Sequence, residues 1–524
     1  MWIALSVLGV LVLIALYDLF QKKHAILRNF PVIGHFRYLL EAIGPELRQY
    51  IVTNNDEERP FSRDERRWVY ASSKSENNYF GFGTDNDLER APNYLIVKPA
   101  ALPHPLPVPR GADYDPSYTA PCTKILGEAR GRARAFRPES VVNISGMSFG
   151  SLSGPAIEAL NRGSKIAGCL HNTGEGGVSQ HHLHGGDLIW QIGTGYFGCR
   201  ADDGGFSLER LLETVESSPE IRAIEIKLSQ GAKPGLGGIL PAAKVTPEIA
   251  KTRGIPEATD CLSPASHQAF HDVDSLLDLV ETIADRTGLP VGVKSAIGEM
   301  KFWEELASAM ESGERGVDFI AVDGGEGGTG AAPLVFTDHV SLPFRVAMAR
   351  VYRTFAEHNL HRSVVFVGAG RLGLPQRALA AFALGCDLVN VGRTAMLSVG
   401  CIQAQKCHTG HCPTGVATQN PWLVRGLDPT DKAGRVAQYV LTLRKELLQL
   451  ASTCGESHPA LIGPEHLEFL DDRYGAITVA KAFDLDPEWS LFPDADRRRI
   501  DSMMADIRKR WSGSAITEPE HASE

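Results

Sequence analysis

The chain is poor in cysteine: nine in 524 residues cannot staple a fold of this length with disulfides, so burial must hold it together. It also lacks an excess of positive charge. Fifty-three Lys and Arg stand against 63 Asp and Glu, a net charge of −10, and this argues against nucleic-acid binding, which needs a basic face. Long apolar runs are absent with one exception, Trp2–Tyr17 (WIALSVLGVLVLIALY). What remains, 43% hydrophobic and 22% charged residues, is the mixture of an ordinary globular protein with room for two or three domains.

The exception at the start is informative. With Leu19 and Phe20 the run reaches the roughly 17–25 residues that a membrane helix needs. Lys22, Lys23, His24 and Arg28 follow directly, and nothing basic but the amino group precedes it. The positive-inside bias therefore predicts a single-pass anchor over residues 1–20, with residue 21 onward in the cytoplasm. A cleaved signal peptide needs a basic leading region and an A-x-A-like site, and neither is evident. Residues 21–110 read as a juxtamembrane and capping region: an amphipathic stretch at 36–51, a charged aromatic segment at 54–74, and a proline-rich linker (ALPHPLPVPR) at 101–110.

Beyond residue 140, short apolar runs alternate with helical patterns. Strands are expected at 141–148, 169–174, 189–200, 223–229, 289–296, 317–325, 363–370 and 386–393. Eight such units, most ending in Gly, Ser, Lys or Asp, predict an α/β fold, a (β/α)8 TIM barrel over residues 111–455. Residues 456–524 are expected to form a helical extension with a disordered tail from 512, and the whole of 425–511 reads as mostly helical.

Chemistry concentrates at the strand ends. Cys401, Cys407 and Cys412 are spaced C-x5-C-x4-C, close enough for soft sulfur ligands to meet on one inorganic centre. That spacing alone leaves open an iron–sulfur cluster, a zinc site drawing on His408 or His411, and buried unligated thiols. Gly324, Gly325, Gly327 and Gly328 crowd behind the sixth strand, where bare backbone can approach a ligand. Residues 368–373 (GAGRLG) match G-x-G-x-x-G, with Asp387 mimicking a ribose-binding acid, but they open the seventh unit of a barrel rather than a doubly wound sheet. Gly368, Gly370, Gly392, Arg393 and Thr394 are therefore the candidates for holding a phosphate. Lys227, Gln230 and Lys233 follow the fourth strand, and Arg253 offers a bidentate fork; together they suit a dicarboxylate. Glu175, between glycines after the second strand, can steer ammonium or shuttle a proton to an imine. Lys294 ends the fifth strand and can stabilise negative charge there. The cluster His181, His182 and His184 is left without a role, as are Cys122, Cys169, Cys199, Cys261, Cys386 and Cys454.

Several of these segments resemble one family. GCIQAQKCHTGHCPTGVATQ (400–419) is similar to the cluster-binding segment of the flavin-dependent glutamate synthases. SGMSFGSLS (145–153), NTGEGG (172–177), IKLSQGAKPGLGGILPAAKVTPEIAKTRG (226–254), SPASHQAFHDVDSLLDL (263–279) and GGTGAAP (327–333) keep that family's order. The resemblance implies an oxidoreductase acting on CH–NH2 donors that makes L-glutamate from 2-oxoglutarate and ammonia through 2-iminoglutarate. It implies FMN as the hydride carrier and a [3Fe-4S] cluster on Cys401, Cys407 and Cys412 as the electron entry. It sets Gly146, Met147 and Ser148 against the flavin ring, Ser151, Lys227, Gln230 and Arg253 at the substrate, and Glu175, Lys227 and Lys233 in catalysis.

The departures from the family matter as well. No counterpart of the family's glutaminase domain, C-terminal β-helix or a nicotinamide-binding unit is expected from this sequence. Ammonia is therefore expected from solution or a separate amidotransferase subunit, and electrons from a ferredoxin or separate reductase. Other readings are an N-alkyl glutamate synthase, a membrane-linked dehydrogenase reducing quinone, and a non-catalytic electron-transfer or scaffold protein.

Overall fold

The structure is a computed structural model and describes residues 2–54, 57–88, 91–106, 115–471, 473 and 475–513. Residues 107–110 of the expected linker and 514–524 of the expected disordered tail lie outside these residues. Two units are distinguished, Met1–Arg67 and Trp68–Glu524. In the first, α1 (Trp2–Phe20) takes up the apolar run, and its 19 residues are long and apolar enough to cross a membrane. Helix α2 (Gly34–Leu47) takes up the amphipathic stretch and continues as a wider turn through Arg48–Val52.

In the second unit all eight expected strands form: β1 (Val142–Ile144), β2 (His171–Asn172), β3 (Leu188–Ile192), β4 (Ile221–Lys227), β5 (Val291–Ser295), β6 (Phe319–Asp323), β7 (Val365–Ala369) and β8 (Leu388–Val391). They pair in sequence order, each neighbour parallel, and β8 closes back on β1. Parallel neighbours need long crossovers. These are α3 (Gly154–Ala167), α4 (Leu208–Ser217), α5 (Val273–Thr287), α6 (Lys301–Met310), α7 (Phe344–Glu357) and α8 (Pro375–Ala383). After β8 come α9 (Arg393–Val399) and α10 (Pro429–Thr453). Only the step from β2 to β3 lacks a full helix and is carried by the turn Gln180–His182. The fold is a (β/α)8 barrel.

Local chemistry sets the helix ends. Ser153 accepts the Ala156 N–H at 3.4 Å and Pro155 follows it, so α3 starts there; Gly168, at φ 64°, stops it. Asp272 and Ser275 cap each other to open α5.

The barrel interior shows why the site lies where it does. In β4 (IRAIEIK) alternation turns Ala223, Glu225 and Lys227 inward and Ile224 and Ile226 outward toward the helices. At the N-terminal end the inward rows are apolar, with Leu170, Ile189, Ala223, Phe319, Ala321, Val365, Val367 and Leu388 packed on a plug of Cys122, Leu126 and Phe136. Toward the C-terminal ends the same rows finish in Asn172, Gln191, Glu225, Lys227, Lys294 and Asp323, all buried. Charges are costly to bury unless paired, so this layer marks the functional end.

The C-terminal region departs from its expected helical character. Helix α10 and the helix Asp494–Gly513 match it, but Leu467–Leu470 pairs antiparallel with both Ala476–Thr478 and Leu95–Val97. The register Leu95↔Phe469 joins segments remote in sequence, and local periodicity carries no signal of such a contact.

Candidate active site at the barrel mouth

Glu175, in the loop after β2, rests on Gly193 and Gly238, where a Cβ would lie 2.8 Å and 3.4 Å from Glu175 atoms. Lys227, the last residue of β4, reaches Glu175 Oε1 at 2.9 Å, and Lys233 reaches it at 3.6 Å. Lys227 Nζ also donates to Gln230 Oε1 at 2.7 Å, and Lys233 Nζ to the Gly237 carbonyl at 3.2 Å. Burial pushes the Glu175 carboxyl up, but Lys227, Lys233 and Arg253 outweigh it and hold it at about 2. Such a carboxylate carries no proton near neutrality. It fits the expected cation-steering role and not the proton shuttle. Burial lowers the Lys227 pKa despite the opposing pull of Glu175.

Arg253 ends the short helix Pro247–Arg253, and its guanidinium is turned back into the protein. Nη2 donates to the Phe149 carbonyl at 3.2 Å, Nη1 to Cys261 Sγ at 3.6 Å, and the group lies over the Phe197 ring. Its Nε has no hydrogen-bond partner among the described residues. Ser151 is exposed, and its hydroxyl meets Ser148 Oγ at 2.8 Å.

A second charge layer lies below. Lys294 Nζ faces Asp323 Oδ2 at 3.5 Å, and Asp323 Oδ2 accepts the Gly231 N–H at 3.2 Å. Burial pushes the Lys294 pKa down, but Asp323 and Glu225 outweigh that and raise it. Glu225 accepts from Asn172 at 2.9 Å and also from Gln191. Asn172 and Gln191 are the groups that a Cβ on Gly146 would strike, at 2.8 and 3.1 Å, so glycine there lets backbone approach the layer. Met147 and Ser148, next to it, are both largely buried.

His267 fixes the end of β4 from outside. Its Nδ1 faces the Tyr196 hydroxyl at 3.2 Å, and that oxygen already accepts the N–H groups of Gln268 and Ala269. The hydroxyl therefore donates to Nδ1, and Nε2–H donates to the Lys227 carbonyl at 2.9 Å. Burial lowers the His267 pKa, which keeps the ring neutral in that tautomer. Sequence reading passed over His267, Tyr196, Asn172, Gln191, Glu225 and Asp323. The one available signal was polar residues at inward parity on β3 to β6.

The glycine-loop candidates and the phosphate candidates separate. The N–H groups of Gly324, Gly325 and Gly327 are spent on the carbonyls of Ala369, Leu342 and Gly324 at 2.9, 2.8 and 2.9 Å, so these glycines shape the loop. Gly328 is exposed, and a Cβ on it would lie 2.6 Å from Arg393 Cδ. Gly368 has outward parity in β7, where a Cβ would meet Leu372, Phe344 and Cys386, so it is a packing residue. Gly370 (φ 125°) and Gly392 border the mouth at the ends of β7 and β8. Thr394 is buried and its hydroxyl accepts from Tyr439 at 2.7 Å. Arg393 donates to the Glu326 carbonyl. Burial, then Arg371 and Arg377, lower its pKa to about 10, which marks a cluster of three guanidiniums. Like charges so placed fit a bound phosphate. Arg371 and Arg377 were missed, although both stand in the segment GRLGLPQR. Asp387 instead pairs with Lys124 at 2.9 Å and caps the Phe366 N–H, at the opposite end of the barrel.

The cysteine loop leaves α9 directly. Cys401 and Cys407 are half-buried and Cys412 is buried, while His408 and His411 are exposed. Between the first two, Gln403 and Gln405 adopt φ 58° and 54°, a left-handed curl rare outside glycine. The Gln403 N–H points at Cys401 Sγ, 3.4 Å away. Burial pushes Cys412 up, but the Ala417, Thr414 and Val416 N–H groups and the Thr414 hydroxyl outweigh it and lower its pKa. Burial and the neighbouring Cys412 raise Cys407. Lys244, also unforeseen, donates to the Cys407 carbonyl at 2.8 Å. Among the described residues no three His, Cys, Asp or Glu side chains are gathered as a metal site. The donor chemistry, three thiols with N–H groups aimed at two sulfurs, nevertheless fits an iron–sulfur centre.

The unassigned histidines are satisfied locally. His182 Nδ1 accepts the Ser179 N–H at 3.2 Å, and His181 pairs with Glu248 at 2.9 Å.

A family profile, the conserved region in glutamate synthase, matches residues 127–457. The glutamate synthase large subunit-like protein YerD of Bacillus subtilis is 38% identical over 489 residues, covering 88% of this chain and 92% of that protein. The archaeal glutamate synthase [NADPH] of Methanocaldococcus jannaschii is 37% identical over 320 residues, covering 60% of this chain and 59% of its own length. A solved mandelate oxidase with an FMN adduct shares 15% identity at a TM-score of 0.40, covering 77% of this chain and 91% of that one.

Proposed function

The chain belongs to the glutamate synthase family, and from that premise we propose that it reductively aminates 2-oxoglutarate to L-glutamate at the barrel mouth. One observation carries the reading. Lys227, Lys233 and Arg253 surround the single carboxylate of Glu175, an excess of two positive charges that matches a keto diacid of charge −2. Lys233 suits one carboxylate, Arg253 adds positive charge while its Nη groups stay on Phe149 and Cys261, and Glu175 draws in ammonium. Lys227 holds a proton at Nζ that it can pass to the developing amine.

Gly370, Gly392, Arg393, Arg371 and Arg377 would hold the phosphate of FMN, Gly146–Ser148 would border its ring, and Lys294 would offset negative charge there. Cys401, Cys407 and Cys412 would hold a [3Fe-4S] cluster. When bound, FMN supplies hydride chemistry and the cluster one-electron transfer. Electrons come from a ferredoxin or a separate reductase, ammonia from solution or a separate amidotransferase, and α1 anchors the chain as a single-pass helix with the barrel in the cytoplasm.

Assay of the purified full chain for flavin, iron and sulfide tests the cofactor assignment. Flavin is expected, together with iron and sulfide in the proportion of a [3Fe-4S] cluster, and Cys407→Ser should lose the iron yet keep the flavin. Zinc in place of iron, or no flavin at all, would refute it.

A further inference from the structure

The first unit is not used by the chemistry above, yet α2 presents a surface of its own. Ile33, Phe36, Leu40, Ile43, Leu47 and Ile51 recur at three- and four-residue steps and so share one side of the helix and its continuation. They are 38% to 77% exposed. The side carrying Gly34 and His35 is fixed instead to the end of α1. Asp18, fully buried in the last turn of α1, accepts the Val32 N–H at 2.8 Å and meets His35 Nε2 at 2.9 Å. A Cβ on Gly34 would touch Leu27 Cδ2 at 3.0 Å, in the short helix Ala25–Asn29 that joins α1 to α2.

The clasp sets the start of α2 against the end of α1, the level at which a spanning helix leaves the apolar phase. The charge of the segment agrees. Between residues 21 and 52, Lys22, Lys23, Arg28, Arg37 and Arg48 stand against only Glu41 and Glu46, in a chain of net charge −10. We propose that α2 is an in-plane interfacial helix, its stripe seated at the headgroup–acyl boundary of the bilayer that α1 crosses, with the basic residues on anionic headgroups. A second copy of the chain would cover the stripe less well, since pairing two such segments brings their basic residues together. The inference rests on the reading of α1 as a membrane anchor and adds a second, lateral contact to it.

Photo-crosslinking of the full chain in phosphatidylcholine–phosphatidylglycerol vesicles tests it, with a photoreactive phenylalanine analogue placed singly at Phe36, Leu40, Leu47, Ala42 or Leu11. Lipid adducts several-fold stronger at positions 36, 40 and 47 than at Ala42, on the other side of the helix, are expected, with strong labelling at Leu11 in α1. Labelling at Leu11 without labelling of the stripe overturns the inference and leaves the anchor standing. No lipid adduct at Leu11 removes the anchor reading itself. Stripe adducts to a second copy of the chain replace the bilayer with a dimer and also overturn it.

Discussion

Lys227→Met is expected to lower kcat for glutamate formation by about 10²–10⁴-fold, the usual loss when a positioned proton donor is removed. Methionine keeps the buried stem of lysine, so the barrel should survive the exchange. The pH dependence distinguishes the chemical role from a packing role. Because burial lowers the Lys227 pKa, the alkaline limb of the wild-type rate should lie below the ordinary lysine value of 10.5, and the variant should lack that limb. The acid side moves the other way. Glu175 is held at about 2 against an ordinary 4.5, so its ion pairs stabilise the fold above 4.5, and that stability is lost as pH falls toward 2. Without Lys227 the carboxyl rises toward its ordinary value, so stability should fall near neutrality and the further loss on acidification should shrink. Lys227→Arg should keep the acid stability and still lose the rate. A variant with wild-type kcat and altered acid unfolding would reduce Lys227 to a structural partner of Glu175.

Arg393→Gln should weaken FMN binding by about 10–100-fold, the equivalent of losing one charge-assisted contact of roughly 1.5–3 kcal/mol. The same exchange relieves repulsion. Three guanidiniums share the ends of β7 and β8, and their mutual repulsion helps lower the Arg393 pKa to about 10. The flavin-free variant should therefore unfold at the same temperature as the flavin-free parent or above it, while the flavin-loaded form loses its stabilisation. Equilibrium titration of the stripped protein with FMN and thermal unfolding with and without FMN read both effects. Unchanged FMN affinity would place the phosphate elsewhere.

Much of the fold was legible because barrel strands are local patterns. Each expected strand from 141–148 to 386–393 overlaps an observed one, and short apolar runs closed by Gly, Ser, Lys or Asp are sufficient signal. The first charge layer was legible too, since Glu175 and Lys233 stand in glycine-rich loops, and Lys227 at the strand end leading into one, where a ligand reading is invited. The second layer was not. Glu225 and Asp323 sit inside regular strands, where a carboxylate reads as a solvated face until closure turns that face inward. Gly368 shows the reverse error: its motif suggested a phosphate, while strand parity points it at Leu372, Phe344 and Cys386. The sheet linking Leu95–Val97 to Leu467–Leu470 and Ala476–Thr478 escaped because pairing between segments so far apart leaves no trace in either.

The central claim is that the cation-rich mouth grips a keto diacid where its carbonyl carbon can be reduced. Anaerobic stopped-flow mixing of the dithionite-reduced full chain with 2-oxoglutarate and ammonium, followed at the flavin absorbance, tests it most directly. Reoxidation that requires both substrates and yields L-glutamate is the result predicted. Flavin that stays reduced in their presence, in a protein shown to carry its full flavin and iron, would contradict it.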